Sequence, residues 1–593
     1  MILKALYDYY NRSDKVAPVG KEYKEIVFLV IIRYDGTFVR IEDTRNEDGK
    51  GNKYLVSKSW GRTGTTPQPF HFWDNFSYVF GFSNANIGIE KDDIDEVKRE
   101  KFEKEIAKNK KSHESFVNYV ESMRELHPND IDIEAVFLFY KRNESQLESL
   151  LRNSNIWDAI KRNLTKNLSF LIEGETEIIA AKERVIAYSG KEQDEEGESI
   201  CLITGEKCSP ITTFSKIKLG KFSDTKLISF QKGSGYDSYG KEQGDNAPIS
   251  EDAEFKCSTA LKKMLEIGSR NKFDIGNRTF VFWASSQSGE AQKVEASVFN
   301  MFGFSRDNPD NGVEKVRKSF ESIFNGRSCQ NKDGLFYILG IYPANKARIA
   351  ISYWAEIPLM DFVEFILDHF SDMEIISNQS NQNYMGLNSM LRAITLDGKI
   401  FGDDARLQPN LAESVVKSIV QGLPYPQSLF SSCIRRIRAE SCNESNPIST
   451  TRTAIIKAYL NRLKDNQILI QPMLDKENTN QGYLCGRLFA VLDKIQEEAN
   501  NQHSIRERYM NSASSTPAAV FSTILNLSNH HVENLKNEGR KIYFDKLKLE
   551  IIGKIDADGF KAQLDLQDQG RFFIGFYHQR QDFFTKNEEN NNE

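Results

Sequence analysis

The sequence predicts a multidomain α+β protein in which mixed α/β N-terminal and central domains precede a mainly helical region and a C-terminal helical bundle. Three observations carry this. β-rich runs cluster before residue 90 and return between residues 201 and 284, charged helix formers fill the stretch between them, and helical periodicity dominates from residue 296 onward. At 593 residues the chain is several cores long, and ~150 residues per domain suggests about four units. The composition shifts place the boundaries at 1–90 (mixed α/β), 91–190 (helical insertion), 195–295 (central mixed domain), 296–470 (mainly helical, with a hairpin) and 473–593 (helical bundle).

Between residues 26 and 39, IVFLVII and YDGTFV are two β-rich runs joined by an Asp-Gly turn signal, which reads as a buried hairpin. After Gly88 the chain turns to IEKDDIDEVKREKFEKEIAKNKKSHESFVNYVESM. There Phe102, Ile106, Phe116 and Val120 give only a partial apolar stripe, and the mixed charge reads as a solvated helix face. A second helical pattern covers residues 143–171, and the Gly-, Glu- and Asp-rich SGKEQDEEGES marks a boundary. Short β-rich runs such as KLISF and TFVFW follow among glycines.

In the helical half, LFYILGIYPANKARIAISYW reads as a hairpin with Asn345, Lys346 and Ala347 near its turn, and an Asp-rich loop at 397–404 separates further helices. Near the C-terminus Leu484, Leu488, Val491, Leu492 and Ile495 form a full amphipathic stripe. Thr516, Pro517 and Ala518 read as a cap and an early helical proline opening the helix around 520–527, and residues 587–593 read as a polar, disordered tail.

Composition bounds the function. A hydrophobic fraction of 39% with 39 Phe and 22 Tyr supplies ample core, and 15 Pro argue against long disordered spans. A net charge of −6 means that nucleic acid must be met by local basic patches. One such patch holds Arg435, Arg436, Arg438, Arg452, Lys457, Arg462 and Lys464 against only Glu440 and Glu444. Arg487, Lys494, Arg506 and Arg508 extend the same expectation into the C-terminal bundle. Seven scattered cysteines read as reduced thiols of a cytoplasmic protein. The acid and tyrosines after Met1 interrupt any signal-peptide core, and no apolar run approaches the ~18 residues of a membrane span.

Enzymatic motifs fail on inspection. Gly235, Gly240 and Lys241 match a phosphate-binding loop, but Glu242 stands where a Ser or Thr must hold magnesium. Cys201 and Cys208, with six residues between them, lack the second ligand pair of a structural zinc site. The eight histidines make no HExxH and none precedes Asp, and the adjacent His530 and His531 point to different helix faces. Asp92, Asp93 and Asp95, and Asp130, Asp132 and Glu134, read as solvated surface. No cofactor or metal is expected.

Residues 58–75 combine cations, glycines that allow close approach and hydrogen-bonding side chains, a composition suited to gripping nucleic acid. Lys58, Arg62, Thr63, Thr65, Gln68, His71 and Asn75 are the expected nucleic-acid contacts, with Phe70, His71 and Phe72 able to wedge or stack where a duplex opens, while Trp60, Phe72 and Trp73 read as core. Ser238, Tyr239, Lys241, Gln243 and Asn246 form a second polar loop that could touch RNA or DNA.

The opening MILKALYDYY, KEIVFLVIIRYDGTFVRIEDTR and SKSWGRTGTTPQPFHFWDNFSYVFGF resembles the start of the large subunit of the subtype I-C CRISPR Cascade surveillance complex. The resemblance continues in the family's order through CLITGE, SYGKEQGDNAPISE, TFVFWA, GLPYPQSLFSSCIRRIRAE and RTAIIKAYLNR. It implies a non-enzymatic subunit that holds the crRNA 5′ handle end, recognises the protospacer-adjacent motif in double-stranded target DNA, promotes unwinding and R-loop growth, and helps recruit a separate helicase-nuclease in antiviral defence. The implied partners are crRNA, target duplex and displaced strand, the backbone and handle-binding Cascade subunits, and small helical subunits. The C-terminal stretch is similar to such a small subunit, which the subtype makes by internal translation, and Met473 is the start this implies. Where many relatives carry a polar residue shortly before Trp-Asp-Asn, this chain has Pro69, Phe70 and His71. Two other readings stand beside this one: a nuclease with an unrecognised carboxylate metal site, and a purely structural nucleoprotein scaffold.

Overall fold

The computed structural model describes all residues except 1, 14–15, 60–61, 63–65, 91–93, 190–196, 234, 236, 238, 276–277, 303–312, 326–333, 378–384, 399–406, 408–409, 442–447, 464–468, 501–503 and 591–593. The chain divides into two compact units, one of residues 13–217 and 223–262, the other of residues 1–12, 218–222 and 263–593. Both mix helices and sheets, as the α+β expectation holds.

The first unit is built on a four-stranded sheet in the order Phe38–Asp43, Phe28–Ile32, Asn167–Ile172, Trp73–Asn75. Its centre is the FLVII run, buried at every position, because a strand covered on both faces is continuously apolar rather than alternating. The expected hairpin is present: Phe28 pairs with Asp43 and Ile32 with Phe38, antiparallel. Gly36 turns it at φ +80°, and a Cβ there would lie 2.5 Å from the Leu138 carbonyl carbon, so only glycine fits. On its other side Phe28–Ile32 pairs in parallel with Asn167–Ile172. That strand corrects the helical reading of residues 143–171, of which only Leu147–Arg152 and Trp157–Lys161 are helices after the Ile131–Asn143 helix ends.

The charged Glu96–Leu126 helix, begun by an Asp95 cap, is solvated on one side, while Phe116, Val120 and Met123 enter the same hydrophobic core as the sheet. Asp130 and Asp132 are not solvated surface. They are 7% and 0% exposed, Asp130 accepts from the backbone N–H of Asp132 and Ile133 to cap the Ile131–Asn143 helix, and Lys182 donates to Asp132 at 2.7 Å. Arg184 pairs with both acids and Lys182 also pairs with Glu175. The KLISF run holds no strand; the strand before it is Phe222–Thr225. The SGKEQDEEGES boundary lies largely outside the described residues.

The second unit carries an antiparallel meander, Lys272–Ile275, Arg278–Ala284, Leu335–Pro343 and Ile349–Pro358. Its last two strands are the expected hairpin, and Asn345 at the turn accepts from the N–H groups of Ala347 and Arg348. The N-terminal helix Ile2–Arg12 belongs to this unit, with Tyr9 against Trp283 at 6.4 Å. Most of the Asp-rich loop at 397–404 lies outside the described residues.

The C-terminal helices share one continuous core with the meander and the preceding helices. The amphipathic stripe is realised in Gln481–Asn500, where Leu484, Leu488, Val491, Leu492 and Ile495 are all 0% exposed. That helix meets Leu566–Asn590 through glycines: a Cβ on Gly486 would sit 1.9 Å from the Phe572 carbonyl oxygen, and one on Gly575 2.2 Å from that of Tyr483. Pro517 opens the Pro517–Glu533 helix at its first position, and the last helix runs to Asn590 through part of the expected tail.

Replacing Asp132 with alanine removes the fully buried acid shared by Lys182, its side chain 10% exposed, and Arg184, and leaves Lys182 with Glu175 alone. The expected loss is about 3 to 5 kcal/mol in the unfolding free energy of the first unit, read from urea denaturation followed by circular dichroism. A midpoint equal to wild type would show that the pair is not structural.

Candidate nucleic-acid interface

Residues 66–75 make a sharp approach into the short edge strand Trp73–Asn75, and a single carboxylate organises it. Asp74 is 1% exposed and accepts from the Arg62 guanidinium, from the Phe70 N–H at 3.1 Å and from the Asn75 N–H at 2.8 Å. Burial pushes the Asp74 carboxyl upward, and Arg62 with the two N–H groups pulls against it. Arg62 lies 3.8 Å from the Phe70 ring centre and 3.9 Å from that of Tyr78, and its Nε donates to the Gln68 carbonyl at 2.7 Å. Ser115 donates to the Pro67 carbonyl at 3.1 Å. The backbone of 67–70 is therefore tied at three successive points, and the Gln68 side chain is left exposed on it.

The aromatics of this segment face inward. Phe70 stacks on Trp73 at 4.5 Å, Phe72 and Trp73 are fully buried, and Lys24 sits 4.7 Å over Trp73. Phe72 holds a left-handed φ of +58°, with Ser169 donating to its carbonyl at 2.8 Å. This corrects the expectation that Phe70, His71 and Phe72 are free to wedge a duplex. His71 is also corrected as a base reader, since it is 2% exposed and both ring nitrogens are occupied by the Tyr119 hydroxyl at 2.5 Å and the Val185 carbonyl at 2.6 Å. The carbonyl fixes the proton on Nε2, so Nδ1 accepts from tyrosine. Burial lowers the His71 pKa to about 4, assisted by His127 and opposed by the Val185 carbonyl.

Asn75 caps the Phe76–Val79 helix by accepting from the Ser77 N–H and hydroxyl, so its carbonyl oxygen is engaged. Lys58 is half-buried, 4.9 Å over the Phe255 ring and 4.0 Å from Glu251. Lys24 and Lys262, which the sequence did not single out, stand near it. Packing around Lys262 lowers its pKa although much of the side chain is exposed, and Lys58 and Lys24 push the same way against Glu254 and Glu22. Thr63, Thr65 and Trp60 lie outside the described residues.

The polar loop is displayed rather than packed. Tyr239 is 99% exposed at φ +55°, Lys241 is exposed, and Asp237 accepts from the Gly233 N–H at 2.6 Å and the Gln243 N–H at 3.4 Å. Asn246 donates to the Gln243 carbonyl at 3.1 Å. Gly244 anchors the loop, because a Cβ there would lie 1.6 Å from the Ile211 carbonyl oxygen. Lys241 is followed by the short 3-10 turn Gln243–Asn246, not by the long helix that follows a phosphate-binding loop. Ser238 lies outside the described residues.

The basic patch is largely interior, which corrects its reading as a backbone-tracking surface. Lys457 is 2% exposed and donates to the Ser371 and Asp372 carbonyls at 3.2 and 2.9 Å; burial lowers its pKa against Asp372 and Glu374. Arg462 bonds Asp372 at 2.5 Å and the Ser418 and Leu423 carbonyls, and lies 4.4 Å over Tyr425. Arg452 and Arg436 share Glu440, and Arg438 donates to Gln569 at 2.8 Å. Arg487 is 0% exposed, donating to Gln579 and Glu550 at 3.0 Å each; Arg506 is 4% exposed, and Lys494 pairs with Glu497 at 3.1 Å. Arg435 and Arg508 remain exposed. Lys464 lies outside the described residues, and Met473 is 56% exposed.

With this arrangement in view, the comparison with known proteins is decisive for the family. The model of the family described as CRISPR-associated protein (Cas_Csd1) matches residues 6–584. The chain belongs to the Cas_Csd1 family. Comparison with curated protein sequences finds no match. A Cas_Csd1 protein is CRISPR-associated and has its place in a Cascade-type, multisubunit antiviral assembly. Among the described residues no helix is long and apolar enough to cross a membrane.

Because His71 is held neutral, the unfolded chain binds its proton more readily, and stability must fall as pH drops from the ordinary histidine value near 6.5 toward about 4. Compared with His71→Gln, the wild type should lose on the order of 3 kcal/mol more across that window in urea denaturation at stepped pH. Parallel pH profiles would mean that His71 titrates alike in the folded and unfolded states.

Proposed function

We propose that this Cas_Csd1 protein is the DNA-recognition large subunit of a type I-C Cascade complex in the cytoplasm, and that it reads the protospacer-adjacent motif through Gln68. The observation that carries this is the tied backbone of residues 67–70, which offers one exposed amide side chain from a fixed platform. A glutamine amide is both donor and acceptor and suits a bidentate contact with a base edge. Lys58, with Lys24 and Lys262 beside it, supplies cations for the adjoining phosphates. Arg62 acts through the platform, since its guanidinium is spent on Asp74 and two aromatic faces.

Tyr239 and Lys241 are the second contact: a fully exposed ring for stacking on an unpaired base and a cation next to it. Guide pairing then extends the R-loop. The free energies of the duplex lost and the heteroduplex gained nearly cancel in another effector type, so modest contacts of this kind decide whether opening proceeds. The partners on this reading are crRNA, target duplex and displaced strand, the backbone and handle-binding subunits, small helical subunits that include a product beginning at Met473, and a helicase-nuclease that cuts in trans. The chain itself is not an enzyme on this reading: Asp130 and Asp132, the best-defined carboxylate pair of the sequence, are neutralised by Lys182 and Arg184.

In the assembled complex with crRNA, Gln68→Ala should flatten discrimination among all variants of the three flanking bases while leaving binding to a pre-opened target intact. Unchanged discrimination would move the reader elsewhere, with Tyr239→Ala as the next variant. Removing Arg435 or Arg508 should reduce the slope of log affinity against log salt by about 0.7 to 0.9 if each meets one phosphate. Lys457→Met should lower the melting temperature and leave that slope unchanged. A reduced slope for Lys457→Met would mean that this lysine meets phosphate.

A further inference from the structure

The CLITGEKC segment carries two thiols that the recognition of nucleic acid does not use. Ser199–Ile200 pairs antiparallel with Lys207–Cys208, and the turn between them closes through Cys201 N–H to the Glu206 carbonyl at 2.8 Å and Gly205 N–H back to the Cys201 carbonyl at 2.9 Å. This geometry places the Cys208 thiol in hydrogen-bond contact with Cys201. The Ser250 hydroxyl points at the Cys201 sulfur from 3.7 Å, and the Thr204 hydroxyl and the Ile203 and Thr204 N–H groups also donate to it.

We propose that Cys201 and Cys208 are a reversible redox pair, in which a peroxide-class oxidant converts the two thiols into a disulfide across the 199–208 hairpin and a thiol reductant reopens it. Cys201 is the attacking sulfur. Its converging hydrogen bonds favour the thiolate and bring its pKa down to about 7 against the effect of burial, which acts the other way. Burial raises Cys208, with the charge of Cys201 adding to it, so Cys208 is the resolving partner.

Cys201 and Cys208 are 1% and 8% exposed, yet the flanking Ile200 and Leu202 are 52% and 55% exposed, so the pair lies in a segment at the protein surface. Cys433 and Cys485 provide the contrast, since deep burial pushes both thiols up to about 12. The step balances. The Cys201 thiolate attacks one peroxide oxygen, the O–O bond breaks, and the released hydroxide takes a proton to become water. Cys208 then attacks the sulfenic sulfur, the S–S bond forms as S–O breaks, and the departing oxygen leaves as a second water with the Cys208 proton. Two thiols lose two protons and two electrons, and the peroxide takes up both to become two waters.

The pair is joined to the rest of its unit through Ser250, whose hydroxyl also accepts from the Ala253 N–H at the start of the Glu251–Leu265 helix. That helix supplies Phe255 and Glu251 to Lys58. Oxidation therefore replaces the thiolate acceptor with a weaker, neutral disulfide sulfur at the turn that seats the helix beneath Lys58.

The full-length protein is treated with hydrogen peroxide, its remaining thiols are alkylated under denaturing conditions, and tryptic peptides are mapped by mass spectrometry. Trypsin cuts at Lys207, between the two cysteines, so only a disulfide keeps the two peptides together. The expected result is a linked Cys201–Cys208 peptide pair that separates with dithiothreitol, while Cys433 and Cys485 remain alkylatable. Both cysteines still alkylating after oxidation, or pairing only with other cysteines, would overturn the proposal. With Cys208→Ser, dimedone should trap a sulfenic acid on Cys201, and a missing adduct on the folded variant would overturn its role as the attacking sulfur. If that variant does not fold, the wild-type peptide map decides alone.

Discussion

The first unit depends on how one buried carboxylate is compensated. Asp74 lies in a short edge strand whose neighbours are Phe72, Trp73 and Phe76, all fully buried, so a charge there is expensive unless donors surround it. Arg62 and the N–H groups of Phe70 and Asn75 are those donors, and Arg62 and Phe70 reach Asp74 from twelve and four residues upstream. The loop is thus shaped from beneath, by a group that never reaches solvent. Phe70 and Tyr78 then hold the guanidinium by their ring faces, an arrangement in which lysine could not replace arginine.

Much of the fold was legible because it is locally encoded. The hairpins at 28–43 and 335–358 each carry an alternating or continuous apolar run on both sides of a turn signal, and both formed in the expected place. The helices around Leu488 and Val520 follow from periodicity and an early proline. The strand Asn167–Ile172 was not legible. Its NLSFLI run is short and apolar, which fits a buried strand or a helix equally, and its partner Phe28–Ile32 lies far upstream in a parallel pairing that no turn announces.

Charge was the least legible property, and for the same reason. Arg462 finds Asp372, and Asp132 finds Lys182 and Arg184, each across many residues of sequence. A run of arginines reads as a solvated basic surface when its acids are far away in the chain. Here GLPYPQSLFSSCIRRIRAE and RTAIIKAYLNR form two packed helices, Gln427–Glu440 and Thr450–Asn461, that Glu440 ties together through Arg436 and Arg452. In the segment 58–75 the composition did not reveal orientation: Phe72 and Trp73 went to the core, His71 to an interior hydrogen-bond chain, and Gln68 to the surface.

This distribution constrains how a chain of net charge −6 can meet a polyanion. If the arginines of the two helices were free, counterion release would supply strong binding to any sequence, and such affinity competes with discrimination. With Lys457 and Arg487 buried and Arg462 paired to Asp372, these three cations are spent on partners within the fold. On the proposed reading, binding strength then comes from the rest of the assembly and from guide pairing, and this chain contributes a local test of a few base pairs. A neutral amide on a rigid platform suits that task better than a cationic one. Its hydrogen bonds are lost on the wrong base without a compensating attraction to phosphate, so the energetic difference between right and wrong sites is kept.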